Sequence, residues 1–253
     1  MDRNLLYHIM PKTTWEWNVD QLAKRIQVFT GKLIFSIAHG AGLEELESVK
    51  RKILTKLPFT IHQNIIFIQV QNDRKLGEAK SFPSLLSLAS KFDRTGITFY
   101  AHAKGVTRPN HPSVTLWTDA LYHFNLDNIE KVEALLKSYP IIGAFKRYGK
   151  FAQFPRNSLY HFSGSFYWFR NKDLFARDWT QIPQRFYATE AYPSLIFTKD
   201  EAGCIYGDRF QDGYKWEYMK GLLQNDPYFR KFIVDNDAAG IKFDKFRKKL
   251  KRV

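Results

Sequence analysis

A single cysteine, Cys204, stands in 253 residues, so no intramolecular disulfide and no cysteine-based metal cluster can form. Long apolar runs are missing as well. The run Ile65-Ile66-Phe67-Ile68 is far shorter than the roughly 20 residues that a membrane-spanning helix needs. The first residues, Met1-Asp2-Arg3-Asn4-Leu5-Leu6-Tyr7-His8, lack the apolar core of a secretory signal, and we expect a soluble, cytoplasmic protein. No internal repeat and no Gly/Ser/Pro-rich linker divides the chain. A P-loop, Gly-x-Gly-x-x-Gly and Gly-x-Ser-x-Gly are all absent, which leaves kinase, dehydrogenase and serine-hydrolase readings without support. Acids are in short supply: 25 Asp+Glu face 39 Lys+Arg, a net charge of +14. Residues 242–253 hold seven basic residues and one acid, a local +6 that leaves +8 on the rest. Such a surplus suits an anionic partner, whether nucleic acid, acidic membrane or phosphorylated small molecule.

Aromatic residues are abundant. The 22 Phe, 13 Tyr and 6 Trp support a substantial core, and the length fits one large α/β domain. Residues 5–10 read as a strand stopped by Pro11. A helix follows with Val19, Leu22, Ala23, Ile26 and Phe29 on one face, Trp15 and Trp17 standing just ahead of it. Residues 33–38 and 65–70 read as strands separated by a helix carrying Leu43, Leu46, Val49, Ile53 and Leu57. Residues 82–92 read as another helix. This alternation predicts a mostly parallel sheet flanked by helices. Beyond it, residues 117–124 look helical, and Asp127 with Glu130 has capping-box spacing for a helix that ends before Pro140. Residues 141–145 and 161–170 read as strands, 147–157 as a basic, aromatic loop, and 188–195 as a loop opening a helix.

The stretch at 97–109 organises the rest. Ile97, Phe99 and Ala101 alternate with Thr98, Tyr100 and His102 as a buried strand, which leaves the sheet through Lys104-Gly105 and Arg108-Pro109. In an open α/β sheet, ligands bind outside the carboxyl ends of the strands. A strand ending His-Ala-Lys-Gly points donors and positive charge into that crevice, which suits an anion such as a diphosphate. Two other strand ends carry polar clusters, His39-Gly40 and Asn72-Asp73.

In order and type, segments 33–195 resemble glycosyltransferases of the GT-A fold. The stretch Tyr-Ala-His-Ala-Lys-Gly with the later Ser163-Gly-Ser-Phe-Tyr-Trp-Phe-Arg170 is similar to the bacterial and viral polysaccharide-type enzymes. The resemblance implies a single GT-A-like (Rossmann-like) domain over residues 1–240, and a sugar transferred from a nucleotide-diphosphate sugar to a glycan or lipid-linked acceptor. It implies donor binding by His39, Asn72, Asp73, His102, Lys104 and Gly105, with Gln71-Asn72-Asp73 and Leu76-Gly77-Glu78 near the base. The carboxylate opening a helix in such enzymes corresponds to Glu190 after Thr189. As general base it would take the acceptor hydroxyl's proton. The family's Asp-x-Asp, which binds Mn²⁺ or Mg²⁺, is replaced at its place by His102-Ala103-Lys104. An ammonium cannot coordinate a cation, but it can neutralise a leaving diphosphate directly. The cofactor therefore stays open, with Asp73, Asp93 and Asp208 as the carboxylates left to hold a metal.

Further candidates are His161, ahead of the small-residue strand, and Asp208 and Asp212 in a polar turn. Trp117 and Trp168 are candidate platforms for an acceptor sugar, whose C–H faces suit aromatic rings. Residues 241–253 form a basic amphipathic tail, with Phe243, Phe246, Leu250 and Val253 at helical spacing among cations. That pattern fits an anionic membrane surface and a peripheral location. Two other classes compete: a nucleic-acid-binding protein, favoured by charge but lacking any recognisable module, and an inactive GT-A-like domain that binds sugar nucleotide without turnover. We expect no nucleic acid.

Overall fold

The computed structural model describes residues 1–149 and 158–238. Four strands, β1 (Arg3–Ile9), β2 (Leu33–His39), β3 (Ile65–Gln71) and β4 (Ile97–His102), pair in parallel in the order β3-β2-β1-β4. The sheet continues through later segments. These are β5 (Ile141–Gly143), β8 (Tyr167–Arg170) and β9 (Ala202–Cys204), while β6 (Lys146–Tyr148) and β7 (Tyr160–Phe162) form a separate two-stranded ribbon. In the main sheet β8 lies antiparallel between β4 and β5, and β9 runs parallel to β5, giving seven strands of which one is reversed. The α/β class and the mostly parallel sheet predicted from the alternation are therefore present.

Among the described residues nine helices accompany the strands: α1 (Trp15–Ala23), α2 (Leu46–Lys56), α3 (Phe82–Ala89), α4 (Pro112–Leu126), α5 (Ile129–Ser138), α6 (Asn171–Leu174), α7 (Ala188–Ile196), α8 (Trp216–Leu223) and α9 (Pro227–Ala238). Both faces of the sheet are covered, so its central strands are apolar on both sides rather than alternating. Leu5, Tyr7, Phe35, Phe99 and Trp168 join one buried layer with α1, α2, α4 and α5. Leu6, Ile34, Tyr100, Tyr167 and Phe169 join the other with α3 and α7. The edge strand β3 alternates between half-buried and exposed residues, with none fully buried. No helix among the described residues is long and apolar enough to cross a membrane.

Several local expectations are corrected. Helix α1 begins at Trp15 and stops at Ala23, with Ile26–Val28 a separate 3-10 turn. The cap of α5 is Asn128, which accepts from the Lys131 N–H at 2.9 Å. Asp127 is drawn away to a side-chain pair with Arg25. The single strand expected over 161–170 is two, β7 and β8, because Gly164 (φ +97°) and Ser165 (φ +60°) reverse the chain between them. The tail 242–253 and most of the basic, aromatic segment 147–157 lie outside the described residues.

Candidate functional site

Strand order reverses between β1 and β4: the chain builds outward from β1 to β2 and β3, then returns to place β4 on the other side of β1. At such a switch point the loops leaving two neighbouring strands diverge and open a crevice. Lys104 leaves β4 there, and its backbone is fixed by Asn18. That fully buried α1 side chain donates to the Lys104 carbonyl at 3.0 Å and accepts from its N–H at 3.1 Å. The Tyr122 hydroxyl donates to the same Asn18 oxygen at 3.1 Å. The Lys104 stem runs over Gly164, where an added Cβ would lie 3.2 Å from Lys104 Cε and 2.7 Å from Leu121 Cδ1. Its ammonium sits 4.0 Å from the centroid of the Trp117 ring.

Across Gly164 stands Glu190, whose Oε1 accepts the Gly164 N–H at 2.6 Å. Burial pushes its pKa up. The Lys104 charge and the Gly164 N–H oppose the rise, the neighbouring Glu78 adds to it, and the net direction is upward. Glu78 lies in the 3-10 turn Gly77–Lys80, and its Oε1 accepts the Thr189 hydroxyl at 2.8 Å. Burial would raise this carboxyl too, but the His102 and His8 imidazoles, the Thr189 hydroxyl and Lys104 outweigh it and hold it below the ordinary range. The two neighbouring carboxyls are thus shifted in opposite directions, Glu78 downward and Glu190 upward. His102 Nδ1 is 3.6 Å from Glu78 Oε1, beyond hydrogen-bond reach. Burial lowers its pKa to about 4, Glu78 pulling the other way and Lys104 adding to the fall. His8, bonded through Nδ1 to Ser81 Oγ at 2.9 Å, is likewise lowered by burial to about 4. Both imidazoles are neutral at pH 7.

Around the mouth, Phe186, Tyr187 and Tyr214 are each more than two-fifths exposed. The Arg108 guanidinium lies 4.4 Å from the Tyr214 ring centroid. Phe186 covers Gly77 so closely that a Cβ there would fall 2.8 Å from its ring.

Of the sequence candidates, His102, Lys104 and Glu190 thus lie together around Glu78 and Gly164, while Gly105, next to Lys104, faces Val114 and Thr118. His39 and Asn72 lie on the same sheet edge, half-buried, with the Asn72 N–H donating to the His39 carbonyl at 2.9 Å. β3 stands three strands from β4, about 14 Å at roughly 4.8 Å per strand. Asp73 turns inward to its own loop, Oδ1 accepting the N–H of Lys75 at 2.8 Å and of Leu76 at 3.2 Å, and so shapes the turn that carries Glu78.

The remaining candidates fall elsewhere. Trp168 is fully buried, its Nε1 donating to the Asn125 carbonyl at 3.0 Å and its ring stacked on Phe29, so it presents no face to a sugar. Trp117 is only 3% exposed, held between Lys104, Phe210 and the Gly213 backbone, and is a floor for Lys104 rather than a platform for an acceptor. His161 is buried in β7, and burial with Arg147 nearby lowers its pKa to about 3. Asp93 precedes β4 at the opposite sheet edge and caps its own turn through Thr95. Asp208 lines a separate cleft with Tyr148, Lys199, Arg209 and Lys215, and Asp212 accepts the Tyr214 N–H at 3.0 Å in a tight turn. The chain's one Asp-x-Asp, Asp235-Asn236-Asp237, is on α9, where Asp237 is engaged by Trp216 and Lys220. Among the described residues no three His, Cys, Asp or Glu are placed to share a metal ion, and the donor set at the switch point does not fit one. Sequence reasoning missed Asn18, which shows only as a polar interruption in a helix stripe. It also missed the charge role of Glu78.

No protein-family model matches the chain, and no curated protein does. Among solved structures, one similar to it is a protein from Desulfovibrio desulfuricans G20 that bears the provisional name nucleotide-diphospho-sugar transferase. The identity is 13% and the TM-score 0.43, over 94% of this chain and 96% of that one.

Proposed function

We propose that this chain is a glycosyltransferase that moves a sugar from a nucleoside-diphosphate sugar to a glycan or lipid-linked acceptor. The observation that carries the reading is the meeting of Lys104 and Glu190 on the two sides of Gly164 at the switch point, a fixed cation beside a carboxylate with a raised pKa. In the proposed step the bond from the sugar's anomeric carbon to the diphosphate oxygen breaks, and its electron pair leaves with the nucleoside diphosphate. The acceptor oxygen forms the new bond, and its proton passes to Glu190. Lys104 meets the negative charge that develops on the diphosphate, at a position set beforehand by Asn18, so little reorganisation is needed when the charge appears. His102, neutral, offers one N–H to the same group. The nucleotide then extends along the sheet edge toward His39 and Asn72, over a span of about the right length for it.

The Mn²⁺ or Mg²⁺ of GT-A enzymes has no matching ligand set among the described residues, and no step is routed through it. A thermal-shift screen of UDP-, GDP-, CMP- and dTDP-sugars, with and without Mn²⁺, tests donor binding. Lys104→Ala should abolish the shift and lower turnover about a hundredfold, the cost of one lost donor to developing negative charge. The reading fails if no nucleotide sugar shifts the wild-type protein.

A further inference from the structure

Trp117 and Trp168 leave no ring open to an acceptor, yet aromatic surface is displayed at the mouth of the same crevice. Tyr187 lies just before α7, three residues ahead of Glu190, with 42% of its surface exposed. Its backbone is left-handed at φ +66°, a strained conformation that bulky residues rarely adopt. Nothing in the backbone demands a tyrosine there, since glycine takes this φ without strain. The groups that act electrically on the Tyr187 hydroxyl are Tyr214, Glu190, Arg108 and Glu78, which brings the ring into the same neighbourhood as both carboxylates. Tyr214, 44% exposed, meets the Trp117 ring edge-on at 5.5 Å, while Lys104 lies over Trp117 on the inside and Arg108 over Tyr214 on the outside. Two touching rings, Trp117 and Tyr214, are therefore bracketed by two cations, Lys104 and Arg108.

The charges around this path are uneven. Glu78 and Glu190 both feel the Lys104 charge, Arg147 acts on Glu190 from the β6–β7 ribbon, and Arg108 acts on Tyr187. A bound diphosphate takes up Lys104. Arg108 is exposed, and no carboxylate among the described residues lies within ion-pair distance of it. It lies over the face of Tyr214, a contact that engages the plane of the guanidinium and none of its N–H donors. A planar donor edge beside exposed aromatic faces matches a ligand that joins sugar C–H faces to an anionic group.

Resting on the glycosyltransferase reading, we propose that Tyr187, Tyr214 and Arg108 form the acceptor subsite, and that the acceptor is a glycan bearing a negative charge read by Arg108. The shared chemistry is an oxyanion near a pyranose ring, from either a uronic-acid carboxylate or a sugar phosphate.

The test is an oligosaccharide array printed in pairs, each acidic member beside its neutralised form. A uronic-acid oligosaccharide stands next to its methyl ester, and a sugar phosphate next to the dephosphorylated sugar. The wild-type protein is compared with Arg108→Ala, Arg108→Lys, Tyr187→Gly and Lys91→Ala. The last removes an exposed charge at the far sheet edge and controls for general attraction to a basic protein. Nucleotide-sugar thermal shifts are measured on the same samples. The wild type should prefer one acidic class, and the class it prefers identifies carboxylate or phosphate. Arg108→Ala should weaken that binding about fivefold, the order of one partly exposed ion pair, with the neutral partners unchanged. Arg108→Lys should recover part of the loss. Tyr187→Gly, which relieves backbone strain while removing the ring, should weaken acidic and neutral members alike. Donor shifts should persist in every variant. Equal losses in Arg108→Ala and Lys91→Ala, binding of acidic and neutralised members alike, or no glycan binding at all would each overturn the proposal. So would loss of the donor shift in Arg108→Ala, which would assign that residue to the donor. Absence of any donor shift in the wild type bears on the transferase reading instead, and the array reads the subsite independently of it.

Discussion

Replacing Asn18 by leucine keeps the volume of the side chain and removes its polar atoms. Three partners are then left behind: the Lys104 N–H and carbonyl at a part-buried position, and the buried Tyr122 hydroxyl. Each unsatisfied buried group costs about 1–3 kcal/mol. The Tyr122 hydroxyl keeps its contact with the Tyr7 hydroxyl, so its share is small. The two backbone groups together set an expected loss of roughly 2–5 kcal/mol, or about 4–20 °C in Tm at roughly 2–4 °C per kcal/mol for a chain of this size. Equilibrium urea unfolding and a thermal melt measure the loss directly. Donor affinity should fall less than in Lys104→Ala, since the cation remains and only its placement is loosened. A stability within 0.5 kcal/mol of wild type would refute the clamp, because two part-buried backbone groups cannot lose their partners at no cost.

Glu190→Gln should retain the nucleotide-sugar thermal shift and lose transfer by roughly 10²–10⁴, as an amide cannot accept the acceptor's proton; full activity in a radiolabel transfer assay would remove Glu190 from the mechanism. Because the carboxyl of Glu190 is raised in the folded state, it weighs against stability as pH climbs through its titration range. The glutamine variant should therefore melt higher than wild type at neutral pH, and an equal or lower Tm would contradict the upward shift. His8 and His102, lowered from 6.5 to about 4, stay neutral in the fold while the unfolded chain takes up protons. Their stabilisation is complete above pH 6.5 and is lost as pH falls toward 4, by roughly 3 kcal/mol each. A pH series of melts should show this slope, and a His8→Asn variant with an unchanged slope would exclude that residue. Treatment with EDTA should leave donor binding and turnover near wild-type levels, whereas loss on chelation with recovery on Mn²⁺ would show a metal held by residues other than those at the switch point.

The parallel half was legible because strands buried on both faces read as unbroken apolar runs, and because each empties into polar residues where the sheet opens. Lys104 and His102 stood out for the same reason, as chemically active groups at the end of an apolar strand, whereas Glu190 was legible only through the resemblance, as a carboxylate opening a helix. Trp117 and Trp168 misled because a tryptophan's type does not reveal which way it faces. Trp168 belongs to a strand whose both sides are covered, and Trp117 to a helix face that packs beneath Lys104. Asp127 lost the cap to Asn128 through a tertiary partner, Arg25, more than 100 positions away. Asn18 was invisible for a like reason, since its partner backbone lies 86 positions along the chain.

The reversed strand has a bearing on how the protein is made. β4 is an outer strand of the parallel half until β8 pairs with it, and β8 begins about 65 residues after β4 ends. At roughly 5–20 residues per second, synthesis leaves that row of backbone donors and acceptors without its neighbour for about 3–13 s on the ribosome. An open strand edge is a template for pairing with other chains. The nascent chain passes through an interval in which β4, the strand that ends in His102, is also its most adhesive surface, and a chaperone acting during those seconds would find its target there.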